Sequence, residues 1–73
     1  MPGPEIVRRA QMLVEETREK VDGQREIVAN LERRGLNPTA ARKLLTTWEE
    51  ALIRRVEILD EMRARSREKR DRQ

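Results

Sequence analysis

Glu15, Glu16 and Glu19 lie within one stretch of five residues, the type and spacing from which helices build carboxylate metal sites and general acid–base pairs. A di-iron bundle would also need a histidine three residues after a glutamate, and this chain has no histidine. Cysteine and tyrosine are absent and Ser66 is the sole serine. A nucleophile–base pair would have to come from carboxylates, lysines and a few hydroxyls. No glycine-rich phosphate loop is present. The carboxylates read instead as a solvated helix face, with Glu15 and Glu19 balanced by Arg18 and Lys20. The expectation is a protein that is not an enzyme and takes no cofactor, metal or small molecule.

Two further polar sets carry information. Thr17, Lys20, Gln24 and Arg55 interrupt an otherwise apolar pattern. They suit either a small buried site or a register-fixing polar layer, and the second is expected. Arg55 can bury its stem and carry its head to Glu16 or another carboxylate. The other set is Arg63, Arg65, Arg67, Lys69, Arg70 and Arg72, which with Glu68 and Asp71 gives residues 63–73 a charge of +4. The net charge is +3, so the first 62 residues carry −1 and the basic character belongs to the end of the chain. Those six side chains are candidate contacts for nucleic-acid phosphates or an acidic protein. No aromatic residues interleave with them, and no helix-turn-helix or RNA-binding signature is present. A solubilising helix end that complements the helix dipole is the expected role.

The elements that position these groups are written in two ladders. Valine recurs every seventh residue at Val7, Val14, Val21 and Val28, and leucine does so at Leu45, Leu52 and Leu59. Such ladders on either side of one glycine-containing break describe two helices packed along continuous seams. If the valines and leucines occupy heptad position a, then d is filled by Ala10, Thr17, Gln24 and Leu31 in the first helix. In the second, d is Ala41, Trp48, Arg55 and Met62. The chain has 73 residues, enough for one domain, and 42% of them are charged. That charge invites a disordered reading, which the apolar ladders oppose over residues 5–62. Without cysteine a reducing compartment fits, the first residues carry no signal-peptide pattern, and no apolar run is long enough for a membrane span. A cytoplasmic protein with no membrane contact is expected.

The spacing predicts a loose segment 1–3, helix 1 over 4–34, a turn at 35–37, helix 2 over 38–68 and a frayed basic tail at 69–73. Pro4 suits the first helical turn, and Glu5 sits near the positive end of the dipole. Gly23 softens helix 1 by about 1 kcal/mol relative to alanine. In the turn, Gly35 can take the left-handed conformation that ends helices, so that Leu36 reaches back to Leu31. Asn37 can then cap the second helix, with Pro38 in its first turn. So short a link makes the helices antiparallel. Residue i then faces residue 72−i to within about one turn, placing Arg55 near Thr17 and Trp48 near Gln24.

A third apolar column widens this seam. Position g carries Ile6, Leu13 and Ile27 in the first helix and Leu44 and Ile58 in the second, with Lys20 and Ala51 between them. A lone hairpin leaves most of these side chains wet. Burying five of them is worth roughly 1.5–3 kcal/mol each as an upper estimate, comparable to the whole stability of a small domain. The fold class expected is therefore an all-α antiparallel two-helix hairpin that dimerises into a four-helix bundle with C2 symmetry. A larger or mixed bundle and a monomer are the alternatives. The expected oligomer interface comprises Ile6, Val7, Leu13, Val14, Val21, Ile27 and Val28, with Leu44, Leu45, Trp48, Leu52, Ile58, Leu59 and Met62.

The stretch from Gln24 to Asn37 (QREIVANLERRGLN), followed by Ala41 to Glu49 (ARKLLTTWE) and Leu52, resembles a group of short uncharacterised bacterial proteins. These share Q-R-x-I-(V/I)-x-x-L-x-x-x-G, an Asp or Asn cap, A-x-x-L-L-x-T-(aromatic)-E and a following leucine. The match covers roughly residues 20–55, about half the chain. The chain departs from many members in its arginine-rich end and in lacking a histidine before the Gln-Arg pair. The resemblance implies a cytoplasmic helical hairpin and transfers no site. The function expected is a self-associating module for protein–protein interaction, an adaptor whose partner the sequence does not name. The alternative is a small nucleic-acid-associated regulator working through residues 63–73.

Overall fold

The structure, a computed structural model, describes the backbone of residues 3–71 and the side chains of residues 3–66. Within that range the chain forms two helices, α1 (Pro4–Arg33) and α2 (Thr39–Asp71), folded back on each other as an antiparallel hairpin. The molecule measures 60 × 15 × 13 Å. No described helix is long and apolar enough to cross a membrane. The expectations for Met1, Pro2, Arg72 and Gln73 lie outside the described residues.

Local sequence accounts for both ends of α1. Gly3 is extended (φ −75°, ψ 170°), and its carbonyl accepts the amides of Ile6 at 3.1 Å and Val7 at 3.2 Å. Pro4 in the first turn has no amide to leave unpaired, and Glu5 faces the positive end of the dipole. At the other end Gly35 adopts φ 69°. Its amide donates to the Glu32 carbonyl at 3.1 Å, and the Leu36 amide donates to the Leu31 carbonyl at 2.9 Å. Those are the two bonds of the Schellman motif, which satisfy carbonyls that the helix end would otherwise leave open.

The chain re-enters helix at once. Asn37 Oδ1 accepts the Thr39 amide at 3.1 Å and the Thr39 hydroxyl at 2.7 Å, while the Arg42 amide donates to the Pro38 carbonyl at 2.8 Å. Asn37 thus caps α2 with its side chain, while Pro38, expected in the first turn, stands one residue before the helix and accepts its first backbone bond. At its far end α2 continues to Asp71, three residues beyond the expected limit at 68. Lys69 and Arg70 there are good helix formers, and positive charge complements a helix C-terminus.

The interior is a narrow strip along the α1 ladder. Val14, Val21 and Val28 are buried with Leu59 of α2, and Thr17 and Gln24 are buried between the valines. Val7, Leu31, Leu45, Trp48, Leu52, Arg55 and Met62 are half-buried. Two helices can enclose only the side chains on the line joining their axes. Everything one column away keeps contact with water.

Candidate interaction surface

The polar layer closes on itself. Thr17, 1% exposed, donates its hydroxyl to the Leu13 carbonyl at 2.6 Å and accepts a hydrogen bond from Arg55 Nη1. Residues 17 and 55 meet where the fold-back places them, but the partner differs from the one expected. Glu16 lies on the exposed outer side of α1, and the guanidinium turns inward to Thr17 instead. Gln24 makes a contact that the fold-back does not single out. Its Nε2 donates at 3.0 Å to the carbonyl of Ala41, seven residues nearer the turn than Trp48. Helix carbonyls point toward the C-terminus, so the Ala41 oxygen projects toward the level of Trp48, and alanine has no side chain long enough to block the amide. The Trp48 ring is covered by Lys20, whose ammonium lies 4.6 Å from the ring centroid in a cation–π contact.

No buried side-chain nitrogen or oxygen among the described residues lacks a hydrogen-bond partner. The layer therefore offers a ligand no unpaired group to bind. Glu15, Glu16 and Glu19 are all exposed, and no metal-holding group of three or more His, Asp or Glu side chains occurs among the described residues.

The two edges of the seam are chemically unlike. Along one edge run the e positions, where Arg25 Nη2 meets Glu49 Oε2 at 3.3 Å and Arg42 Nη2 meets Glu32 Oε2 at 3.2 Å. Arg25 also lies 3.9 Å from Asp22. These two bridges cross from α1 to α2 in the half of that edge nearer the turn. Their signal in the sequence is a pair of opposite charges at facing e positions, which reading the a, d and g columns alone misses.

The other edge is apolar and open. Ile6, Leu13, Ile27, Leu44 and Ile58 are between 46% and 50% exposed. The g positions of the two helices share this side. Ile6, Leu13 and Ile58, together with Ala10, Met62 and the stems of Arg9 and Arg55, line one open groove of about 220 Å³. The fold-back sets Leu13 opposite Ile58, Lys20 opposite Ala51 and Ile27 opposite Leu44, in layers about 10 Å apart. No family model matches the chain, and neither curated proteins nor solved structures give a match.

The residues expected at an oligomer interface thus fall into two groups. Val14, Val21, Val28 and Leu59 are enclosed within a single chain and form the seam between its own helices. The five g side chains remain accessible to another molecule, flanked by the half-buried Trp48 and Met62. Met12 and Ile53, more than half exposed, lie off this edge on the outer surface. Of the candidate polyanion contacts, Arg63 and Arg65 are exposed. The side chains of Arg67, Lys69 and Arg70, and all of Arg72, lie outside the described residues.

Proposed function

We propose that this chain is a non-enzymatic cytoplasmic module for protein–protein interaction, which self-associates through its g edge into a dimeric four-helix bundle and serves as an adaptor. The observation that carries the reading is the half-exposed row of Ile6, Leu13, Ile27, Leu44 and Ile58, opposite an edge that carries ion pairs between the two helices. Apolar rows of this extent on small proteins mark contact surfaces. A second copy offers the same row and closes the assembly.

Magnitudes set an upper bound on the affinity. Removing the remaining exposure of ten such side chains, five from each copy, stabilises by roughly 7–15 kcal/mol, half the value for full burial. Association itself costs roughly 4–15 kcal/mol. The surplus reaches at most about 11 kcal/mol, and the roughly 8 kcal/mol of a micromolar dimer lies within it only when the association cost is near its lower bound. Light scattering between roughly 1 and 100 µM tests this range directly. The expected mass rises toward twice the chain's 8.7 kDa. A well-folded monomer throughout that range defeats the proposal.

The concentration of charge in residues 63–73 favours a second reading, a nucleic-acid-associated regulator. It requires binding to mixed DNA or RNA at about 50 mM salt that disappears when residues 63–73 are deleted. Undetectable binding, or binding that survives the deletion, ends it.

A further inference from the structure

Self-association through the g edge leaves two symmetric arrangements, with the turns of the two hairpins at the same end or at opposite ends. Resting on that self-association, we infer that the hairpins pack with both turns at the same end, so that Lys20 of each lies over the partner's Ala51. The middle layer of the edge decides between the arrangements. Its outer layers, Leu13 with Ile58 and Ile27 with Leu44, present branched apolar side chains of similar size on both helices and fit either way. In the same-end arrangement α1 of one hairpin covers α2 of the other, and the Lys20 stem, its ammonium held over Trp48 of its own chain, fills the space beside the partner's small Ala51 twice over. In the opposite-end arrangement α1 covers α1 at this level and α2 covers α2. Lysine then meets lysine, and alanine meets alanine, which leaves like charges together on one side and a void on the other.

The same-end arrangement also brings the two basic segments 63–73 to one end of the bundle. Of those charges, Arg63 and Arg65 have described side chains, and both are exposed near the level of Ile6, where salt screens them beyond about 8 Å. The Lys20 pair of the competing arrangement would face itself at the centre of the interface, where screening is weakest. The central pair therefore outweighs the terminal charges.

Glu5 and Arg33 are exposed and lie at the outermost heptad position of α1, close to its two ends. The chain contains no cysteine, so Glu5→Cys and Arg33→Cys each place a single spin label on every hairpin. Pulsed dipolar spectroscopy on the labelled full chain then reads one distance per dimer. The same-end arrangement gives about 25–30 Å at both sites, from the interaxial spacing of a bundle and the reach of the labels. The opposite-end arrangement sets Glu5 fifteen residues and Arg33 thirteen residues from the central layer on either side, giving about 45–50 Å at both. The longer distances, or a mixture of the two, overturn the same-end arrangement while leaving self-association intact. Absence of any dipolar modulation at about 100 µM overturns the self-association and this inference together.

Discussion

The two edges of the seam share a backbone geometry and a fold-back, yet one carries ion pairs between its own helices and the other leaves a row of apolar side chains half exposed. Along the e edge, Arg25–Glu49 and Glu32–Arg42 satisfy each other across the helices, so nothing there calls for a second molecule. Such exposed bridges stabilise little, about 0.2–1 kcal/mol each, but they oppose a slip of one helix past the other, which would set like charges together. Along the g edge the five side chains Ile6, Leu13, Ile27, Leu44 and Ile58 are apolar and half exposed. A charged edge can be completed with two long side chains, whereas an apolar edge can be completed only by covering it. The contrast separates what sets the register of the hairpin from what drives it to associate.

The largest test of the contrast places charge on the open edge. The double variant Leu13→Glu/Ile27→Glu puts four carboxylates into a dimer interface and is expected to weaken dimerisation by about a thousandfold or more, roughly 4 kcal/mol or above. Both positions are half exposed in the single chain, so helicity should survive, and circular dichroism checks that it does. Loss of helicity together with the dimer would mean that the g edge also holds the hairpin together.

Val21→Ala acts on the enclosed seam between the edges. At 2% exposure Val21 leaves a cavity when truncated, and the hairpin should lose about 2 kcal/mol of stability in a denaturant titration. A loss below about 0.5 kcal/mol would place the seam elsewhere.

Arg55→Leu removes the guanidinium from the polar layer. Thr17 keeps its bond to the Leu13 carbonyl, so no buried donor is orphaned, and stability should stay within about 1 kcal/mol of the parent or rise. The oligomer should become less uniform in native mass spectrometry as the register constraint relaxes. A sharp loss of stability with an unchanged oligomer would contradict a register role for the layer.

The smallest effect belongs to the e edge. Glu49→Gln removes one exposed bridge, and the expected loss is about 0.5 kcal/mol or less, shrinking further as salt is raised. A loss above about 2 kcal/mol, or a change of oligomeric state, would erase the distinction between the edges.

Much of the hairpin is legible in the amino-acid sequence because its signals are local. Gly35, Asn37 and Pro38 each have one favoured role at a helix end, and the structure gives Gly35 its positive φ and Asn37 its two capping bonds. The g column is legible from its period, which places the same five residues on the edge that the structure leaves half exposed. What resists reading depends on register to within one residue. The Arg25–Glu49 bridge spans 24 positions, and a fold-back known only to about one turn does not single it out. The approach of Gln24 to the Ala41 carbonyl depends on a backbone atom and a small side chain, which no pattern of apolar residues encodes. Arg55 shows the intermediate case, with its level fixed by the fold-back and its partner chosen by local competition between Glu16 and Thr17.

Sedimentation velocity on three chains at roughly 100 µM tests the division between the edges most directly: the parent, Leu13→Glu/Ile27→Glu and Glu49→Gln. The parent and the Glu49 variant are expected to sediment as dimers near twice 8.7 kDa, and the double variant as a folded monomer. A folded monomeric parent, or a double variant that remains dimeric, would contradict assembly through the g edge.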